Sequence, residues 1–179
     1  MREIDLGRWV YVRIWQGELP NLRYPEGRAI ETVVDAPSGP MTQPWCAAVD
    51  TKIIREPLAR YALLGACFRP DPRTSLRIRI VESAGDGVRF TNSLSRGHDD
   101  IHAGLRPVMV DDVLQGVLSS LELPKFGGGE IRFDCAANGR NSTAPMTVRT
   151  VARAVLLLLT LRDEPVPEEQ LRTILTAWS

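Results

Sequence analysis

The chain has 179 residues, its 22 lysines and arginines are matched by 22 acidic residues, and 44% of it is hydrophobic. That composition belongs to an ordinary globular chain and excludes disordered, collagen-like and coiled-coil organisation. With no net charge, nothing steers the whole molecule to nucleic acid or an acidic membrane, so such a partner would need a local patch.

All the basic residues except Lys52 and Lys125 are arginine, a bias that fits a GC-rich bacterial genome. The amino terminus lacks the apolar run of a secretory signal, and the longest greasy stretch, 155–159, is too short to span a bilayer. Cys46, Cys67 and Cys135 are odd in number and far apart in apolar sequence. They read as reduced, buried thiols, and the expected compartment is the cytoplasm, with no membrane contact.

In chain order, Trp9, Tyr11 and Trp15 alternate with Val10, Val12 and Ile14, which predicts a strand with two apolar faces. A turn at 24–27 leads to a strand over 29–34, and Pro37, Gly39, Pro40 and Pro44 mark an irregular loop. Over 46–66, Ile53, Ile54, Leu58, Tyr61 and Leu64 roughly fit a helical face that Pro57 would break, so a short helix followed by less regular chain is expected. The punctuation at 69–72 divides a strand-rich amino-terminal extension, 1–68, from a second unit, 69–179.

In that second unit, residues 75–82 alternate strictly, and Gly85-Asp86-Gly87 is expected to turn them back into a hairpin strand over 88–92. Val110, Val113, Leu114, Val117, Leu118 and Leu121 make one apolar stripe of a helix that begins at Pro107. Gly127-Gly128-Gly129 reads as a flexible connection into a strand over 130–136, with Ile131, Phe133 and Cys135 inward and Asn138-Gly139 ending it. Ser142 or Thr143 is placed to cap a helix that buries Val148, Val151, Val155 and Leu158, and a last short helix over 168–178 packs back through Leu171, Leu175 and Trp178. The order strand, strand, helix, strand, helix predicts an α+β protein, a two-layer α/β sandwich of split β-α-β topology, with the opposite sheet face polar.

Leu76-Arg77-Ile78-Arg79-Ile80, then Phe90-Thr91-Asn92, then Pro107-Val108-Met109-Val110, with Gly116 inside the helix, followed by 138–143 and Val151-Ala152-Arg153-Ala154, resemble the fourth domain of elongation factor G and related ribosomal translocation and protection factors. The resemblance covers about 69–162 and excludes the motor of that family, because no Gly-x-x-x-x-Gly-Lys-Ser/Thr loop is present. It implies contact with RNA or the ribosome through loops 93–106 and 138–143. Candidate contacts are Arg96, His98, Arg106, Arg140 and Asn141 in the loops and Arg77, Arg79 and Arg132 on the outward sheet face. The same arginines equally make a solvated face balanced by acidic neighbours.

His98 and His102, four apart with Asp99 and Asp100 between them, have spacing suited to a divalent metal, and a small metal-dependent enzyme centred on His98, Asp99 and His102 is the competing expectation. No nucleophile motif surrounds Ser93 or Ser95. The expected function is therefore a non-enzymatic binding module without a cofactor, contacting RNA, the ribosome or a protein. A third expectation is a subunit of a larger complex, held through Trp9, Tyr11 and Trp15.

Overall fold

The computed structural model describes residues 1–35, 41, 43–55, 58–71, 75–95, 97–162 and 164–177. The candidate contact Arg96, the packing residue Trp178 and the breakers Pro37, Gly39, Pro40, Pro57 and Pro72 lie outside them.

The protein is α+β, built on one mixed sheet of β1 (Arg2–Asp5), β2 (Val10–Gln16), β3 (Glu26–Asp35), β4 (Trp45–Arg55), β5 (Leu58–Pro70), β6 (Ser75–Ser83), β7 (Ile101–Ala103) and β8 (Gly129–Gly139). The strand order is β1-β2-β4-β5-β8-β6-β3, and β7 pairs with the last residues of β8. Helices α1 (Val110–Leu118), α2 (Pro145–Leu161) and α3 (Glu168–Thr176) complete the chain, with a 3-10 turn at Pro107–Met109 leading into α1. Among the described residues, no helix is long and apolar enough to cross a membrane.

The alternation read in β2 and β6 decides their faces. Val10, Val12, Ile14, Leu76, Ile78 and Ile80 are buried in one core beneath the helices, together with Val113, Val117, Val151, Val155 and Leu158. Strands from both halves of the sequence share the sheet: β3 pairs with β6, and β5 pairs with β8 and runs on to Pro70. The β-α-β unit is present in contiguous form, because β6 and β8 are directly bonded parallel neighbours with no strand split between them.

Several expectations are corrected. Residues 46–55 and 58–66 form no helix; they lie in the antiparallel pair β4 and β5, whose register runs from Trp45↔Phe68 to Arg55↔Leu58. Small and β-branched residues dominate β4, and cross-strand packing on a half-buried surface outweighs their weak helical spacing. Residues 88–92 do not return beside β6: β6 is already bonded on both edges, and Arg89 makes only an isolated bridge to His102. Neither Ser142 nor Thr143 caps α2; Ala144 stands at that position without a side-chain cap, because both hydroxyls are engaged elsewhere.

Cys46 and Cys67 are not reduced thiols. The β4–β5 register sets them opposite each other with Cα atoms 4.0 Å apart, and they form a disulfide; Cys135 is the free, buried thiol. A directly opposed pair is close enough to be bridged without moving the backbone.

Cys135 does not share the inward face of Ile131 and Phe133. The pairing shifts from Ala66↔Phe133 to Gly65↔Cys135, so Asp134 is an extra residue and every following side chain changes face. Cys135 and Ala137 thereby join Trp15, Ala48, Tyr61, Leu63 and Ile101 in a second apolar cluster on the back of the sheet. That face is polar on its β3–β6–β8 side and again at Arg13, Asp50 and Lys52; between these, Leu19, Leu22 and Phe90 pack against the apolar cluster.

Candidate functional site: a clamped pair of loops

The two loops singled out in the sequence meet. After Gly139 the chain turns toward α2, and this turn is tied to the other loop by one carboxylate: Asp99 Oδ2 accepts the Asn141 N–H at 3.0 Å, the Ser142 N–H at 2.8 Å and the Ser142 hydroxyl at 2.6 Å. Asp99 Oδ1 accepts the Asn141 side-chain amide at 3.3 Å. Burial pushes the Asp99 carboxyl up, but the bonds from Ser142, Asn141 and Asp100 outweigh it and hold the group below its ordinary value. Glycine at position 139 leaves room for the clamp, since a Cβ there would displace both Ser142 Oγ and Asp99 Oδ2.

The same turn is docked on β5. Thr143 Oγ1 accepts the Gly139 N–H at 2.7 Å and donates to the Tyr61 carbonyl at 2.8 Å, while the Tyr61 N–H donates to the Ser142 carbonyl at 3.1 Å. Loops 97–106 and 138–143 therefore form one ordered rim.

Between them lies a polar pocket of about 160 Å³ lined by Asp86, Asp100, His102, Arg106, Asn138 and Arg140, among others. His102 is bonded at both ring nitrogens, Nε2 to Asp100 Oδ2 at 2.9 Å and Nδ1 to the Gly87 carbonyl at 3.2 Å. Two acceptors require two N–H groups, so this geometry favours the imidazolium, and the Asp100 bond followed by the Gly87 bond raises the His102 pKa. The bond from His102 lowers the Asp100 pKa, aided by the Arg89 charge, whose Nε is 2.8 Å away. Arg106 donates to the Thr143 carbonyl at 3.3 Å, and the Asn138 amide to the Gly104 carbonyl. The lining alternates in sign.

Beneath Asn92, Leu94 and His98 lies a group of polar side chains that the sequence did not reveal: Arg13 of β2, Asp50 and Lys52 of β4, and Tyr61 of β5. Asp50 is fully buried; its Oδ2 is 3.6 Å from Arg13 Nη1 and 3.4 Å from the Leu94 N–H. Burial pushes its carboxyl up to about 7, although Arg13, Tyr61 and the Leu94 N–H all pull it down. Arg13 also donates to the Asn92 carbonyl and pairs with Glu3 at 2.7 Å. Lys52 Nζ stands 3.4 Å from His98 Nδ1, and burial lowers its pKa. Charged side chains of β2 and β4 thus hold Asn92, Leu94 and His98 from below. Their signal was the alternation of Ala48, Asp50 and Lys52, legible only once 45–55 is a strand.

The histidine and aspartate candidates do not converge. His98 faces Lys52, Asp99 serves the 141–142 turn, and His102 serves Asp100 and Gly87. Among the described residues, no group of three or more His, Cys, Asp or Glu is arranged to hold a metal ion. The sheet arginines are ion-paired: Arg77 and Arg79 with Glu31 at 3.9 and 3.3 Å, Arg132 with Glu26 at 3.2 Å and with Asp134 at 2.6 Å. Of the aromatic candidates, Trp15 is buried beneath Arg13, Tyr11 is half-buried and Trp9 is exposed.

Compared with known proteins, the chain matches no family model, no curated protein and no solved structure.

Proposed function

We propose that the chain is a non-enzymatic binding module that engages a protein partner through the rim formed by loops 97–106 and 138–143. The observation that carries this reading is the Asp99 clamp. A surface held by several charge-assisted hydrogen bonds before binding loses little entropy when a partner arrives. The rim mixes Arg106, Arg140 and His102 with Asp86 and Asp100, the composition of a polar protein contact. An RNA platform would present unopposed cations, and the sheet-face arginines that the elongation-factor resemblance offers for RNA, Arg77, Arg79 and Arg132, are neutralised by Glu26, Glu31 and Asp134. The disulfide removes the thiol argument for a cytoplasmic site and fits an oxidising compartment.

The test is a photo-crosslinking residue placed at Asn141 in the native cell, with adducts identified by mass spectrometry. A discrete protein adduct whose yield falls in Asp99→Ala is expected. A nuclease-sensitive RNA adduct would return the weight to the translation-factor reading, and no adduct at all would overturn the binding rim.

A further inference from the structure

The hairpin joining β1 to β2 breaks a local rule of turn chemistry. The Val10 N–H donates to the Gly7 carbonyl at 3.1 Å, closing a turn whose two central residues are Arg8 and Trp9, at φ 50° and 67°. Positive φ at both central positions is the sign of a type I′ turn, for which Asn-Gly is preferred because bulky side chains are strained there. The turn is nonetheless held firmly: Asp5 Oδ1 accepts the Gly7 N–H at 2.8 Å, and the Trp9 carbonyl accepts the Ile54 N–H at 3.0 Å. The strain leaves the indole 65% exposed rather than in a core. Backbone strain at a fixed, exposed aromatic is the pattern of a functional site, not of packing.

We propose that Trp9, with Arg8 beside it, is the anchor of a protein interface and inserts into an apolar pocket rimmed by carboxylates on the partner. This rests on the binding-module reading above for the class of partner. Tryptophan and arginine dominate interface hot spots, and an indole fixed on a rigid turn gives large contact area at small entropic cost. The acidic rim follows from the charge of Arg8. The tip is also continuous with the clamped rim. Tyr11 of β2 pairs with Lys52, Lys52 with Tyr61, and the Tyr61 N–H with the Ser142 carbonyl, so tip and rim share one end of the sheet. At roughly 4.8 Å per strand step, they stand on the order of 15 Å apart, within one interface of standard size.

Two measurements test this. First, Trp9→Gly relieves the left-handed strain, and its melting temperature should rise by about 2–4 °C; a fall would make Trp9 a structural residue and overturn the proposal. Second, a display library of random twelve-residue peptides is selected against the intact chain. Enriched peptides should be apolar with Asp or Glu, and should lose about thirtyfold in affinity to Trp9→Gly and about tenfold to Arg8→Glu. Binders that ignore Trp9 but weaken in Arg140→Glu would overturn the anchor while leaving the rim reading intact. Binders that need Trp9 and ignore Arg140 would uphold the anchor and count against the rim.

Discussion

Asp99 and Ser142, 43 positions apart in sequence, are joined twice, the serine N–H and hydroxyl both donating to the same carboxylate oxygen at 2.8 and 2.6 Å. That oxygen is the hinge pin of the proposed rim. Replacing Asp99 with alanine leaves the Asn141 and Ser142 donors without their acceptor, and the half-exposed setting lets water recover part of the loss, so the expected cost is roughly 2 kcal/mol. The loss should be local. Amide exchange at Asn141 and Ser142 should accelerate far more than exchange in β5, and uniform acceleration would show that the clamp supports the whole fold. Because the bonds depress the Asp99 pKa, its contribution is present above the unfolded value near 4 and should fade as pH falls through the folded value.

The Cys46–Cys67 disulfide closes a hairpin over a sequence separation of 21. Chain-entropy reasoning assigns about 3 kcal/mol to a loop of that length, so Cys67→Ser should lose stability of that order under non-reducing conditions and nothing under strong reductant. Alkylating the denatured, unreduced protein should label Cys135 alone. Labelling of all three cysteines would mean the bond is absent.

The same hairpin shows where the sequence was legible. Strict alternation in β2 and β6 and the apolar stripes of α1 and α2 set the buried faces expected, except at the end of α1, where the helix stops at Leu118 and both Leu118 and Leu121 of the expected stripe are exposed. Over 46–66 the apolar residues fit no period cleanly, because β4 and β5 are central strands covered on both faces. One misread segment had three consequences. Without β4 opposite β5, Cys46 and Cys67 seemed distant, Asp50 and Lys52 fell on no common face, and Tyr61 had no reason to touch the 138–143 loop. The bulge at Asp134 was hidden for a different reason: an extra residue changes which face Cys135 occupies without changing the composition of the strand. For the candidate site, the family resemblance names loops 93–106 and 138–143 as contacts without bringing them together, and Asp99, which joins them, reads from the sequence only as a ligand of the alternative metal site.

Gly116 sets two opposing effects against each other. In an exposed helix, glycine to alanine gains about 1 kcal/mol from propensity alone. Here a Cβ would run into the Arg149 carbonyl oxygen and stand 3.0 Å from the Ala152 Cβ, because α1 crosses α2 at this position. A backbone carbonyl inside a helix cannot yield cheaply, and overpacking of this kind costs about 1–3 kcal/mol. Gly116→Ala should therefore destabilise the chain in urea, and a more stable variant would refute the close crossing.

Asp50 gives a pH dependence opposite in sign to that of Asp99. Burial raises its folded pKa to about 7, above the unfolded value near 4, so the native state holds a proton that the unfolded chain gives up first. Its contribution to stability is complete below pH 4, declines as pH rises through the interval, and is lost above 7, a total of the order of 4 kcal/mol at most. Lys52 and Tyr61 flank it in the sheet, Glu3 is joined to it through Arg13, and His98 lies above Lys52. The informative quantity is therefore the difference in unfolding free energy between wild type and Asp50→Asn across pH 4 to 8. That difference should move steadily in favour of the variant as pH rises, while Arg13 keeps its pair with Glu3. A carboxyl carbon resonance for Asp50 titrating near 4, or a difference flat across the range, would show that the carboxylate is charged and well solvated beneath Asn92, Leu94 and His98.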